Sequence, residues 1–216
     1  MDGYERDRRR MVKTQILRRG LTDPRLLAAF ESVPRHLFVP RDYRRHAYAD
    51  NPIPIGSSQT ISQPYIVALM TSLLRLNGTE RVLEVGTGSG YQAAILGFMA
   101  AQVHTVEYLP ELAIQAGELL NRLGFRNVYV HTGNGSLGWP QAAPYGGILV
   151  AAAAPDAPRP LLDQLEEGGR LVLPVGGRSM QNLEVWTRQG AEFERKIDTA
   201  VAFVPLRGEY GWNKKV

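Results

Sequence analysis

The sequence predicts an α/β protein: a mainly parallel sheet of seven strands, helices on both faces, and a helical extension ahead of it. Three observations carry this. Short apolar runs alternate with segments of helical periodicity from residue 81 onward, which is the pattern of strand–helix–strand crossovers. Gly147–Ala152 is almost wholly apolar, as expected of a strand covered on both faces. Arg81-Val82-Leu83-Glu84-Val85 runs into a glycine turn, Gly86-Thr87-Gly88-Ser89-Gly90, and then into the helical run Tyr91–Met99.

The extension reads as a basic helix over Tyr4–Arg19 stopped by Gly20, followed by a second helix over Pro24–Ser32 with Asp23 before it and proline in its first turn. Val33–Pro40 breaks helical periodicity, and a short helix over Arg41–Ala47 follows. Asn51–Gln63 is rich in proline, glycine, serine and threonine with isolated isoleucines, so it reads as a loop with anchors. Pro64–Leu76 has apolar residues at helical spacing. The sheet then takes Arg81–Val85, Gln102–Val106, Val128–Thr132, Gly147–Ala152, Arg170–Val175, Asn182–Arg188 and Ala200–Leu206, with helices over Pro110–Leu123 and Pro160–Leu165. Consecutive strands at the end imply an antiparallel closing pair. At 216 residues the chain suits a single domain, residues 1–76 supplying helices and a substrate loop and residues 77–216 the sheet core.

Composition narrows the chemistry. There is no cysteine, which excludes disulfides, thiolate metal sites and a cysteine nucleophile. The four histidines, His36, His46, His104 and His131, show no ligand spacing, so no metal site is expected. No run approaches the roughly 18 to 20 apolar residues needed to cross a bilayer, and Met1–Arg10 lacks an apolar signal core; a cytoplasmic protein with no membrane contact is expected. The net charge of +4 is concentrated in Arg6–Arg19 and Arg41–Arg45. A solvated helix face accounts for these clusters without nucleic acid, since no aromatic-glycine RNA-binding pattern accompanies them. With no long apolar stripe left once the core is assigned, a monomer is expected.

The glycine turn and a second acid describe a nucleoside-binding crevice. A turn at the carboxyl end of a strand brings backbone N–H groups against a ligand only where no Cβ intervenes, which is the use of Gly86, Gly88 and Gly90. Seventeen residues past Gly90, Glu107 ends the next strand, where a carboxylate can accept both hydroxyls of a ribose. Glu84 discriminates between nucleotides. A pyrophosphate wants positive potential and would be repelled by an acid at the strand end. S-adenosylmethionine carries no phosphate, and its ammonium and sulfonium are both favoured by an acid. The site therefore reads as S-adenosylmethionine-binding, with a nicotinamide cofactor as the second reading and an ordinary glycine-rich turn as the third.

Val33-Pro34-Arg35-His36-Leu37-Phe38-Val39-Pro40, Gln59-Thr60-Ile61-Ser62-Gln63-Pro64, Leu83–Gly90, Ala152-Ala153-Ala154-Pro155 and Gly168–Gly176 together resemble the successive signatures of the protein-L-isoaspartate O-methyltransferases, over about residues 10 to 206. The glycine motif alone would suit any class I methyltransferase; Thr60-Ile61-Ser62 followed by Pro64 is more specific. The resemblance implies a class I, Rossmann-like methyltransferase. Its activity would be transfer of the methyl group of S-adenosylmethionine to the free α-carboxylate of an L-isoaspartyl residue in a damaged protein or peptide. The ester then collapses to a succinimide, which hydrolyses in part to normal aspartate. It further implies Ser62, with Thr60, as the active-site hydroxyls. Cofactor contacts would come from Gln59, Thr60, Ile61, Ser62, Glu84, Gly86, Thr87, Gly88, Ser89, Gly90, Glu107, Tyr108, Asn134 and Gly135. Substrate contacts would come from Ile53, Pro54, Ile55, Pro205 and Leu206.

From the residues alone, Gln59–Ser62 could equally be a polar loop whose hydroxyls cap the helix at Pro64, and the isoleucines could be core plugs. Two departures from the family pattern stand out. Gly133-Asn134-Gly135 replaces Gly-Asp-Gly, which keeps a carbonyl acceptor for an adenine amino group and loses a charge. Tyr145-Gly146-Gly147-Ile148 replaces Tyr-Asp-Ala-Ile, which is expected to loosen the entry of a buried strand. They leave open a relative that binds cofactor with little repair activity, or a methyltransferase for a different carboxylate.

Overall fold

The computed structural model describes residues 3–212. Its centre is a seven-stranded sheet of β3 (Arg81–Val85), β4 (Gln102–Glu107), β5 (Val128–Thr132), β6 (Tyr145–Val150), β7 (Leu165–Gly176), β8 (Gln181–Gln189) and β9 (Glu192–Val201) in the order β5-β4-β3-β6-β7-β8-β9. The pairings among β3 to β7 are parallel; β8 runs antiparallel to both β7 and β9. The predicted α/β class and strand count hold. The last strand does not lie where the apolar run suggested: it is Glu192–Val201, and 202–206 is irregular chain carrying one isolated bridge from Pro205 to Ala153. The reason is that β9 is an exposed sheet edge carrying Glu192, Glu194, Arg195, Lys196 and Asp198. Charges of this kind discourage edge-to-edge pairing and erase the period-two signal.

Both faces of the sheet are covered, by apolar clusters that interlock through alternate residues of β6. Leu149 points into the cluster built with α2 (Pro24–Ser32), α3 (Pro64–Leu73) and α4 (Tyr91–Met99), while Ile148 and Val150 point into the one with α6 (Arg159–Asp163). All six residues of β6 are buried. The remaining crossover helix, α5 (Pro110–Arg122), packs on β4 and β5, burying Leu112, Ala113, Ala116 and Leu120. Among the described residues no helix is long and apolar enough to cross a membrane.

The extension corrects the sequence reading in two places. The predicted single helix over Tyr4–Arg19 is α1 (Gly3–Met11), a π turn over Val12–Ile16 and a 3-10 turn over Leu17–Arg19, ended by Gly20 in the left-handed region. The loop Asn51–Gln63 contains a hairpin, β1 (Ile53–Gly56) with β2 (Gln59–Ile61). Ser57 and Ser58, both at positive φ, make its turn. A two-residue hairpin turn of this hand normally advertises itself with Asn-Gly; Ser-Ser does not.

Gly146 and Gly147 do not loosen the entry to β6. A Cβ on Gly146 would meet Glu80 Cγ at 2.7 Å and Glu166 Oε1 at 2.8 Å, and one on Gly147 would meet Leu76 and Leu74 at 3.2–3.3 Å. The space is already filled by neighbouring side chains. Glu80 is itself pinned, because its carboxylate accepts from the N–H groups of Asn77 and Gly78. Restoring the family's acid with Gly146→Asp should lower stability by about 2–3 kcal/mol, from overpacking and a third carboxylate beside Glu80 and Glu166. Denaturant midpoints of the two proteins test this, and an unchanged midpoint would mean the site has slack.

Candidate active site

The order of strands reverses at β3, whose neighbours β4 and β6 connect to opposite halves of the sheet. In sheets of this kind a crevice opens outside the carboxyl ends of the strands at that point. A cleft of about 910 Å³, counting its open mouth, lies there. Its walls come from the chain leaving β3, β4, β5 and β6, from the hairpin, and from the segment after β9.

The glycine turn forms one wall. Gly86 and Gly88 have φ of +95° and +52°, conformations costly for other residues. Gly90, also at positive φ, is set back from the cleft: a Cβ there would come within 3.3 Å of Ala116 and Leu120, so this glycine serves the packing of the turn on α5. Glu107 faces the turn from the end of β4. Its Oε2 accepts from Gly88 N–H at 2.8 Å and its Oε1 from Leu109 N–H at 3.0 Å. A carboxylate offers about four acceptor sites, so each oxygen keeps one for a ligand hydroxyl.

Glu84 lies deeper, with no solvent exposure. Thr105 Oγ1 donates to its Oε2 at 2.5 Å, and Thr87 Oγ1 lies 2.6 Å from Thr105 Oγ1. Its Oε1 has no partner among the described residues. Burial, reinforced by the charge of Glu107 and opposed by the Thr105 hydrogen bond, pushes the carboxyl up to about 8. At neutral pH the acid is therefore mostly protonated, and a cation bound beside it would ionise it. This donor set fits S-adenosylmethionine: acceptors for a ribose, a turn without obstructing side chains, and an unsatisfied acid for positive charge.

The hairpin and its exit form the opposite wall with Gln59, Thr60, Ile61 and Ser62. The competing role for these hydroxyls, capping α3, is not adopted: the helix starts behind Gln63 with no side-chain cap. The Ser62 carbonyl accepts from Arg35 Nη2 at 2.7 Å. A third wall is the chain after β9, where Leu206 N–H donates to the Ala153 carbonyl at 2.7 Å and brings Pro205, Leu206 and Arg207 to the rim.

The structure thus gathers Gln59, Thr60, Ile61, Ser62, Glu84, Gly86, Thr87, Gly88, Ser89, Glu107, Tyr108, Gly135, Pro205 and Leu206 around one cleft. It does not bring Gly90, Asn134, Ile53, Pro54 or Ile55 to its surface. Ile53 is a core plug at 2% exposure, Pro54 faces solvent, and Ile55 lines a neighbouring hollow with Leu37, Phe38 and Leu112. Asn134 turns away, its Oδ1 accepting from the N–H and hydroxyl of Ser136 at 3.1 and 2.7 Å. The side chain has become a local cap, which an asparagine does as well as an aspartate. Sequence reasoning missed Thr105, which completes the hydrogen bonding of Glu84, and the cleft residues Val67, Met70, Tyr91, Gln92 and Phe203. Thr105 was discoverable in principle, as the residue paired with Glu84 across adjacent parallel strands. Among the histidines, His104 Nδ1 and His131 Nε2 lie 2.9 Å apart, and His131 stacks on Trp139. No group of three potential ligands is placed to hold a metal among the described residues.

Comparison with known proteins gives one consistent result. The family description Protein-L-isoaspartate(D-aspartate) O-methyltransferase matches residues 6–211. A protein-L-isoaspartate O-methyltransferase of Methanoregula boonei is 57% identical over 206 residues, covering 95% of each chain. One of Syntrophus aciditrophicus is 51% identical over 216 residues, covering 99% of each. Among solved structures, a protein-L-isoaspartate O-methyltransferase superposes with a TM-score of 0.83 at 26% identity, over 95% of this chain and 66% of that one. A Plasmodium falciparum protein crystallised with S-adenosyl-L-homocysteine shares the fold, with a TM-score of 0.82 at 23% identity over 93% of this chain and 98% of its own. With the signatures, the fold and the cleft in agreement, the chain belongs to the protein-L-isoaspartate(D-aspartate) O-methyltransferase family.

Proposed function

We infer that this protein methylates the free α-carboxylate of L-isoaspartyl residues in damaged proteins and peptides, using S-adenosylmethionine, and so begins their repair. The observation that carries the reading is that the glycine turn with Glu107 and the hairpin with Ser62 face the same cleft. Bound S-adenosylmethionine supplies a methyl group on a sulfonium, ready for displacement by an oxygen anion.

The rest of the work falls to the chain. A carboxylate with an ordinary pKa near 4 is already ionised at neutral pH, so no general base is required. What the protein must provide is alignment and partial removal of water. Ser62 and Thr60 are the proposed donors to the substrate carboxylate, since hydroxyls orient an anion without adding a repelling charge. Gly86–Ser89 and Glu107 are proposed to hold the nucleoside, and Glu84 the positively charged end. Pro205 and Leu206 are proposed to receive the substrate backbone, while Ile53, Pro54 and Ile55 support the hairpin from outside the cleft. Asn134 is proposed to act through its cap on Ser136. We further propose a cytoplasmic monomer without a nucleic-acid partner.

The direct assay uses tritiated S-adenosylmethionine with an isoaspartyl peptide and its normal aspartyl twin. Base-labile methyl ester on the first peptide alone is expected; ester on neither, with S-adenosylhomocysteine still bound, would indicate a relative without repair activity, and ester on some other acid a different substrate. Replacing Ser62 by alanine should lower kcat by about 10- to 100-fold, the weight of one hydrogen bond to a charged group, while S-adenosylhomocysteine affinity stays within about threefold. Parallel loss of both would mean that Ser62 is not the donor to the substrate carboxylate. Because burial pushes the Glu84 carboxyl up to about 8, binding a cationic ligand at pH 7 should release on the order of one proton per site. Titration calorimetry of S-adenosylmethionine, with no methyl acceptor present, in buffers of different ionisation enthalpy reads this release. It should vanish in Glu84→Gln, and a wild-type heat independent of buffer would refute it.

A further inference from the structure

Arg35 is fully buried, in a 3-10 turn (Arg35–Phe38) directly after α2. It joins no ion pair among the described residues, although a buried cation is ordinarily matched by a carboxylate. Its Nε donates to the Ala47 carbonyl at 2.8 Å and its Nη2 to the Ser62 carbonyl at 2.7 Å. Its guanidinium lies 4.8 Å from the centre of the Tyr91 ring. Burial pushes it down to about 10, which leaves it charged at neutral pH. Tyr91 is the first residue of α4, follows the glycine turn, and itself lines the cleft. One side chain thus touches both walls of the site without entering it.

We propose that Arg35 is a positioning residue for methyl transfer, holding the backbone of Ser62 so that its hydroxyl meets the incoming carboxylate in register with the cofactor wall. Ser62 is the last residue before Gln63 caps α3, and α3 has no side-chain cap to set where its start lies. β2 ends one residue earlier, at Ile61. Between those two elements the Ser62 carbonyl is pinned by the guanidinium, and the guanidinium is pinned by the Tyr91 ring and by Ala47. Tyr91 is itself clamped edge-on by Phe30 and Phe38 at 6.1 and 5.5 Å. The planar fork of arginine can serve two carbonyls and a ring face at once, which the single ammonium of lysine cannot. A positive charge with no direct ion-pair partner among the described residues, placed behind Ser62, also favours an anion in front of it, in a cleft whose buried carboxyl groups are Glu84 and Glu107.

The inference rests on the proposed methyl transfer, and its test has one arm that needs no turnover. In protein saturated with S-adenosylhomocysteine, Arg35→Lys should speed amide hydrogen exchange across residues 59–63 by about tenfold while β3 and β6 are unchanged and ligand affinity stays within about threefold. Unchanged exchange in 59–63 would overturn the proposal whatever the substrate is. The second arm is a double-mutant cycle with Arg35→Met, or Arg35→Lys should the methionine variant fail to fold, against Ser62→Ala. Loss of alignment should lower kcat on an isoaspartyl peptide by about 10- to 100-fold with a smaller change in KM, and lysine should restore part of it. In the Ser62→Ala background the same Arg35 substitution should cost less than about threefold. Equal losses in both backgrounds would mean that Arg35 merely supports the fold. Wild-type protein inactive on the isoaspartyl peptide would instead count against the proposed function, leaving the exchange result to judge Arg35.

Discussion

The turn out of β3 is the constraint on which the rest of the site depends. Where the strand order reverses, the chain must leave the sheet, open a space and enter a helix within five residues, and Gly86, Gly88 and Gly90 all take positive φ to do so. The turn would be loose if it relied on glycine alone. It is held by the Glu107 carboxylate, which takes the Gly88 N–H on one side and the Leu109 N–H on the other. The same carboxylate keeps acceptors free toward the cleft, so the group that shapes the pocket is also one that can bind in it.

The extension ahead of the sheet builds the opposite wall. Its helices bury Met11, Val12, Ile16, Leu26 and Phe30 in the cluster that also takes in α3 and α4, leaving Arg6, Arg9 and Arg10 to solvent. From this platform the hairpin carries Gln59 and Thr60 over the cleft, and its exit carries Ser62. Arg35, Phe30 and Phe38 converge on Tyr91 at the start of α4, which fixes the distance between the two walls by packing.

Electrostatics divides the cleft in the same way. The acids, Glu84 and Glu107, lie on the sheet side and are buried, a setting that suits a cationic ligand and disfavours a phosphate. The side that would meet an anionic substrate has hydroxyls, main-chain groups and, behind them, the guanidinium of Arg35. Thr105 shows how the sheet serves this division: it sits opposite Glu84 in the parallel register of β3 and β4 and holds one carboxylate oxygen, while the other has no donor among the described residues.

What the sequence determined by itself was whatever depends on local pattern. Apolar runs and helical periodicity placed six strands and the crossover helices, glycine after an acidic strand end placed the turn that walls the cleft, and the spaced signatures placed the family. The sequence was silent where an element is defined by its neighbours. β9 is charged because it is an edge, the hairpin turns on Ser57-Ser58 because its strands hold those residues at positive φ, and Gly146 is small because Glu80 and Glu166 fill its space. The same applies to side-chain direction. Asn134 is spent on Ser136, Gly90 on α5 and Ile53 on the core, while Tyr91 and Thr105 reach the site from positions no motif marks. Periodicity and turn chemistry act over a few residues and can be read along the chain; which atoms face a cleft is decided by packing between segments tens of residues apart, and only the tertiary structure holds that information.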